Sequence, residues 1–451
     1  MKLNIRKKLV SVAVASVVTG GAMMAIPAQA MNVSQNSVGQ VLLYPYYSVK
    51  NGYDTVLTVV NTSAKTAAFK IRWREAMDSD EVRDFNVILS PHDVWNGAVT
   101  QAVDGSTIFR TYDKSCTSPM LPGMTDTAMR AADGAKGEVA FANIGDNSAG
   151  YFEVFLMGVA DSTNVGAEVT ALRTGSLHNA AGVPADCGLV DAQFATATSV
   201  SNLDAQMSAP ENILKGSVTY INVTHGVSIN TEPTALENFS STPIVYAPID
   251  LDPSLASGDF GATINYLDNG TVNSVAVPGV SSNAVAALLS MRSLIGEFSS
   301  GTNAATSWVV TQPTKHIAGL TSGNCWPITM SLYNREEKTT VVVNATDFSP
   351  YTPGDTSVTL CPEASVIDFN GSPIFGTTEG NANHKGVDTT SVGLSGWVKL
   401  SVLADQANGT SIGGVPVIGF SAIVRDSADA TVNYGNAYSL AGERGGMMVA
   451  P

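Results

Sequence analysis

Residues 66–89 carry the pattern that most restricts what this chain can fold into. Phe69, Ile71 and Trp73 alternate with Lys70, Arg72 and Arg74, and after a polar turn at Asp78-Ser79-Asp80 the alternation resumes at Phe85, Val87 and Leu89. Successive side chains on a strand point to opposite faces, so this pattern predicts two antiparallel strands with one buried face and one wet face. A β-branched apolar run at 55–60, closed by Asn61-Thr62-Ser63, adds a more deeply buried strand and a turn. Three or four consecutive strands within 41–95 begin the sheet of a sandwich. On this register Trp73→Ala should cost about 3–5 kcal/mol and Arg72→Ala well under about 1 kcal/mol.

Strand-like segments recur along the rest of the chain. The 137–144 and 151–159 segments, the latter almost wholly apolar, are followed by 216–223, 307–312, 328–333, 339–344, 357–360, 365–369, 396–403, 415–425 and 430–434. Turn signals such as Pro353-Gly354-Asp355 and Asn370-Gly371-Ser372 separate them. A single convincing helix is expected at 283–298, where Val285, Leu288, Leu289, Met291, Leu294 and Ile295 recur at helical spacing, and a helical turn at 233–238. The 161–210 region is rich in small polar residues without periodicity and reads as an excursion. The expected fold is therefore all-β, mainly an antiparallel β-sandwich of immunoglobulin-like type, with one short helix and long loops.

The first 30 residues read as a secretory signal peptide: Lys2, Arg6, Lys7 and Lys8 precede an apolar run at 9–18, and Ala28-Gln29-Ala30 offers a small-residue cleavage site. The run is shorter than the ~20 residues that span a bilayer, and no later segment sustains an apolar run of that length, so no transmembrane segment is expected after signal removal. Four basic residues leave with the signal, so 20 basic residues face 39 acidic ones, a net charge of −19. Such a balance disfavours nucleic-acid binding, which needs a basic surface. Subtracting 30 from 451 leaves 421 residues, more than one core normally organises. The division expected is 1–30 signal peptide, 31–205 an N-terminal β-sandwich domain, and 206–451 a C-terminal β-rich domain that interleaves with the first. Four cysteines, Cys116, Cys187, Cys325 and Cys361, have neither C-x-x-C nor zinc-site spacing and read as two structural disulfides. Pairing within each half, Cys116 with Cys187 and Cys325 with Cys361, avoids tying the halves together across long separations.

Chemistry-bearing patterns are sparse. Gly409-Thr410-Ser411-Ile412-Gly413 satisfies G-x-S-x-G, but a nucleophile elbow turns from a strand into a helix, and the residues after it contain Pro416 and read as a strand. His92, His178, His225, His316 and His384 form no metal-binding spacing, and His316 reads as a hydrogen-bonded residue near a strand end. Carboxylates gather at Asp78, Asp80 and Glu81, at Asp250, Asp252 and Asp259, and at Asp268 beside Asn269-Gly270; solvated turns are expected there, with weak calcium sites as the alternative. Tyr44, Tyr46, Tyr47 and Tyr53 suit either the packing of a sandwich core or a sugar-stacking platform, with packing expected. No Gly-rich phosphate loop opens a helix, so no nucleotide cofactor is expected, and with the motifs above discounted no catalytic residue is assigned.

Several segments together resemble a family of uncharacterised secreted "cell surface" proteins of proteobacteria. They are VLLYPYYSVKNGYDTVLTVVNTS, FKIRWREAMDSDEVRDFNVILSPHDVW, GYFEVFLMGV, GSVTYINV, SWVVTQPTKH, SLYNREE and VPVIGF, in that order across most of the chain. Gln312 departs from the apolar aromatic residue expected before Pro-Thr-Lys. The resemblance implies export and an all-β fold, and brings no activity, cofactor or catalytic residue. The expected function is an exported cell-surface or extracellular structural or adhesive protein, with the periplasm as alternative location, that self-associates or binds cell-envelope components. A secreted hydrolase or carbohydrate-binding protein with a loop-built site is the alternative.

Overall fold

The computed structural model describes residues 30–131, 135–268, 271–278, 281–301, 303–317, 325–337, 339–342, 358–370, 373–376, 383–402, 413–426 and 433–444. Among these the chain is mainly β, with 28 strands against five α-helices. The two strands predicted from alternation are present as Thr66–Glu75 and Glu81–Leu89, paired antiparallel with Phe69 opposite Val87 and Ile71 opposite Phe85. They lie in a seven-stranded sheet ordered Asn32–Val33, Thr234–Glu237, Val41–Ser48, Ala149–Ala160, Thr66–Glu75, Glu81–Leu89, Cys116–Ser118.

A second seven-stranded sheet faces it. Its order is Gly137–Ala140, Thr107–Thr111, Val94–Gln101, Asp54–Asn61, Leu214–Asn222 and Val227–Thr231, with Val38–Gly39 pairing on Leu214–Asn222. Rings meet across the gap: Trp73 of the first sheet lies 5.1 Å from Phe109 of the second, and Phe85 lies 5.9 Å from Trp95. Neither order reproduces the four-on-three strand arrangement of immunoglobulin domains, so the immunoglobulin-like expectation has no support here.

Two further sheets make a second sandwich. One runs Thr339–Val342, Trp326–Asn334, Ser395–Val402, Ser290–Ser299, Val415–Pro416; the other runs His384–Val387, Ala364–Phe369, Ala304–Thr311, Ile418–Asp426, Asn433–Ser439. Trp308, Val310, Ile367 and Phe369 of the latter pack with Leu294, Phe298, Leu332 and Leu400 of the former. Its other face contributes Val309, Val366, Phe420 and Ala422 to the cluster that holds Trp73, Tyr46 and Tyr220. One sheet is thus buried on both sides, and a continuous apolar cluster draws residues from before and after position 205.

The helices correct the sequence reading. Instead of one, five occur among the described residues: Asp126–Ala131, Ala167–Ser176, Cys187–Ala192, Ala197–Gln206 and Ser281–Leu289. Three of them occupy the excursion at 161–210, where Ala, Ser and Thr give too weak an apolar stripe for periodicity to register. The helix expected at 283–298 stops at Leu289, and Ser290–Ser299 is a strand. Apolar residues at 291, 294, 295 and 298 satisfy helical spacing, but sheet pairing with Ser395–Val402 decides the outcome. The helical turn expected at 233–238 is likewise a strand, Thr234–Glu237, hydrogen-bonded to Val41–Ser48.

Cys116 is bonded to Cys187 and Cys325 to Cys361. Two disulfides fit an oxidising, extracytoplasmic compartment. No helix among the described residues is long and apolar enough to cross a membrane. The first bond closes a sequence separation of 71 residues. Chain-entropy loss in the unfolded state makes it worth about 4 kcal/mol. Urea unfolding of a Cys116→Ser/Cys187→Ser variant should show that loss, and an unchanged midpoint would contradict it.

Candidate functional site

The polar face of Thr66–Glu75 is where sequence and structure part. Lys70, Arg72 and Arg74 alternate with the core residues as expected, yet Lys70 is 0% exposed and Arg72 only 2%. The face expected to be wet is covered by residues some 180 positions further on. Lys70 Nζ donates to the backbone carbonyls of Ala247 at 3.0 Å, Asp252 at 2.8 Å and Asp250, and pairs with Asp84 at 3.0 Å. Arg72 holds Glu81 through Nε and Nη2 and donates Nη1 to the Pro253 carbonyl at 3.0 Å. Arg74 Nε meets Glu153 at 3.0 Å, and its Nη1 reaches the Ser79 carbonyl at 2.8 Å. Burial pushes the Lys70 ammonium down and the Asp84 carboxyl up, each shift opposed by the partner's charge.

This ionic layer builds one wall of an open groove of about 790 Å³. The wall is the 243–250 segment, held from behind by the Lys70 cage and by Asn86 Nδ2, which donates to the Tyr246 carbonyl at 2.9 Å. The opposite wall is the helix pair Cys187–Ala192 and Ala197–Gln206. Asp186 caps the first helix by accepting from Leu189 N–H, and Thr196 caps the second by accepting from Ser199 N–H. The Cys116–Cys187 disulfide ties the first helix to the edge strand Cys116–Ser118, and Ser118 Oγ donates to Asp191 at 2.7 Å. Phe194, Val200, Ile244, Val245, Tyr246 and Pro248 make the lining largely apolar, with Asp191, Asp204 and Asp250 among them. At the rim Ile249 is 90% exposed, and Leu251, the residue after the lining Asp250, is 72% exposed.

His316 lies elsewhere, in a second polar cluster. Its Nδ1 is 3.4 Å from the Tyr151 hydroxyl, which meets Ser79 Oγ at 2.7 Å, and 3.8 Å from a Glu363 carboxylate oxygen. Gln312 is buried and donates to the Pro362 carbonyl at 3.2 Å, which ties its turn to the Cys361 turn. Lys315 Nζ completes that tie on the Cys361 carbonyl. Burial, with Arg74 and Arg72 nearby, holds His316 down to about 2, and burial raises the Glu363 carboxyl. His316 therefore stays neutral in the folded protein while it takes up a proton below about 6.5 in the unfolded chain, so it removes stability as pH falls through that range. Glu363, protonated in the folded state above its usual range, acts in the opposite sense and removes stability as pH rises. The difference between the wild type and His316→Gln isolates the histidine: the variant should lose less stability on acidification from roughly pH 6.5 to pH 4, by up to about 1.4 kcal/mol per unit. Parallel curves for the two proteins would contradict the assignment.

The other candidates among the described residues make structural contacts. Ser307 and His384 bind opposite oxygens of the Asp368 carboxylate, the imidazole at 2.8 Å, and all three are fully buried. A nucleophilic triad needs the imidazole between hydroxyl and carboxylate, and here the carboxylate is in the middle. His92 occupies a turn at φ 58°, His178 meets Ser90 Oγ at 3.1 Å, and the His225 N–H donates to Asn222. Tyr44, Tyr46, Tyr47 and Tyr53 are at most 4% exposed, so they pack the core and form no platform. The Glu75 carboxylate closes the Asp78 turn by accepting backbone N–H groups, and Glu81 serves Arg72. Asp259 accepts from Ser241 at 2.8 Å, and Asp268 ends the Ala262–Asp268 strand. Among the described residues no group of three or more His, Cys, Asp or Glu side chains is placed to hold a metal ion. Ser411 lies outside the described residues, and His316 does not line the groove.

Comparison with protein-family models, with curated proteins and with solved structures finds no match to this chain. Sequence reasoning missed the groove because Asp191, Asp204 and Asp250 stand on separate elements. Local signals existed in the helix caps, Asp186 before the helix that carries Asp191 and Thr196 before the one that carries Asp204.

Proposed function

We propose that this chain is an exported structural or adhesive protein of the cell surface or extracellular space, and that it works by binding through the groove. The observation that carries the reading is the groove's construction: each wall is locked independently, one by a disulfide and one by a buried ammonium, and an exposed apolar rim stands at its mouth. Recognition surfaces are typically concave, largely apolar and preformed, with a few polar groups that set orientation. The secretory signal, the acidic balance and the resemblance to secreted surface proteins support the location, with self-association or other envelope components as partners.

The test is surface labelling of intact cells together with an adhesion assay. Protein accessible from outside, with adhesion reduced by Ile249→Asp/Leu251→Asp at unchanged melting temperature, is the expected result. A periplasmic protein whose removal leaves adhesion intact would refute it. The carbohydrate-binding alternative has one observation in its favour. Tyr333 and Trp397 stack at 4.1 Å on a sheet face, with Trp397 39% exposed. A glycan array distinguishes the two, because sugar binding lost on Trp397→Ala would favour that alternative.

A further inference from the structure

The groove's lining carries charge of one sign only. Asp191, Asp204 and Asp250 contribute to it, and no basic side chain lines it among the described residues. Each carboxylate is fixed by the chain through a single oxygen: Asp191 accepts from Ser118 Oγ at 2.7 Å, Asp204 from Val245 N–H at 2.9 Å, and Asp250 from Ala247 N–H at 2.9 Å. The second oxygen of each has no protein hydrogen bond among the described residues. These are acceptors held in place but not used up, which is the arrangement that a charge-assisted donor completes. The Tyr246 phenol stands in their field, raised by burial and by Asp252, Asp204 and Asp250. Phe194, Val200 and the Tyr246 ring supply an apolar surface between the charges, and an aromatic face also attracts a cation.

Resting on the reading of this groove as the recognition surface, we propose that it binds a short peptide segment that presents a lysine or arginine side chain beside apolar residues. The basic group meets Asp204 and Asp250, and the apolar neighbours lie on Phe194 and Val200. A peptide fits better than a small free amine because the apolar surface does not end at the groove. It continues onto Ile249 and Leu251, 90% and 72% exposed, so the complementary ligand extends past the cavity. A volume of about 790 Å³ matches a few side chains rather than a whole domain.

Isothermal titration of the full protein decides the matter, using capped Phe-Xaa-Leu peptides in which Xaa is lysine, norleucine or glutamate, with tyramine as the free amine. The lysine peptide should bind at least about tenfold more tightly than the norleucine peptide, the glutamate peptide should bind most weakly, and added salt should erode the preference. The Asp191→Asn/Asp204→Asn/Asp250→Asn variant keeps an oxygen for each chain donor and should lose the preference. Should that variant fail to fold, Asp204→Asn alone is expected to reduce it about threefold. Val200→Trp fills the groove and should abolish binding of every peptide. Equal binding of the lysine and norleucine peptides, both lost on Val200→Trp, would overturn the basic ligand and leave the groove as a recognition surface. Tyramine binding as tightly as the lysine peptide would overturn the peptide as ligand. Absence of binding by every probe at millimolar concentration would overturn this proposal and the groove reading together.

Discussion

Arg74→Ala should lower the unfolding free energy by about 3–5 kcal/mol, because it strands the Glu153 carboxylate in the protein interior. Glu153 is 1% exposed and has its Arg74 contact at 3.0 Å, while its other oxygen has no hydrogen-bond partner among the described residues. Removing the guanidinium also leaves the Ser79 carbonyl without the 2.8 Å donor that holds the turn after the strand. Arg72→Ala should cost about 2 kcal/mol through the lost bonds to Glu81 and the Pro253 carbonyl, not the small effect that a wet face implied. Urea unfolding of the two variants measures both. Arg74→Ala with a midpoint equal to the wild type would show that this ion pair does not hold the Glu153 carboxylate in the interior.

Trp73→Ala should cost a similar amount, about 3–5 kcal/mol, by a different route. Its ring lies within 5.1–6.1 Å of Phe85, Phe109, Phe141 and Phe152, so it joins the two facing sheets, and the hole left behind has rigid aromatic walls that cannot collapse into it. Unfolding measured by fluorescence and by far-UV circular dichroism should shift together. A loss under about 1 kcal/mol would mean that the sheets do not face each other through this ring. Large effects from both Arg74 and Trp73 describe a strand that is structural on both faces.

That comparison shows what the sequence could reveal. Alternation at 69–73 and 85–89 gave the strands, their pairing and the core side, because period two is a local property of the chain. It could not say whether the polar side met water, since the cover comes from 247–253, far along the chain. A run of Lys and Arg reads the same whether it is solvated or buried against carbonyls. The helices at Ala167–Ser176 and Ala197–Gln206 were hidden for another reason: alanine, serine and threonine form helices without marking a stripe. The groove inherits both blind spots, with one wall on those helices and the other on the covering segment.

The cage around Lys70 has one further consequence. Three carbonyls and a carboxylate converging on one positive centre is how many exported proteins shape an acidic loop around a dissolved ion, whose occupancy then follows its concentration outside the cell. Here the positive centre is part of the polypeptide, so its local concentration is fixed by the length of its own side chain and dilution cannot empty the cage. The loop's shape therefore needs no metal ion drawn from the medium.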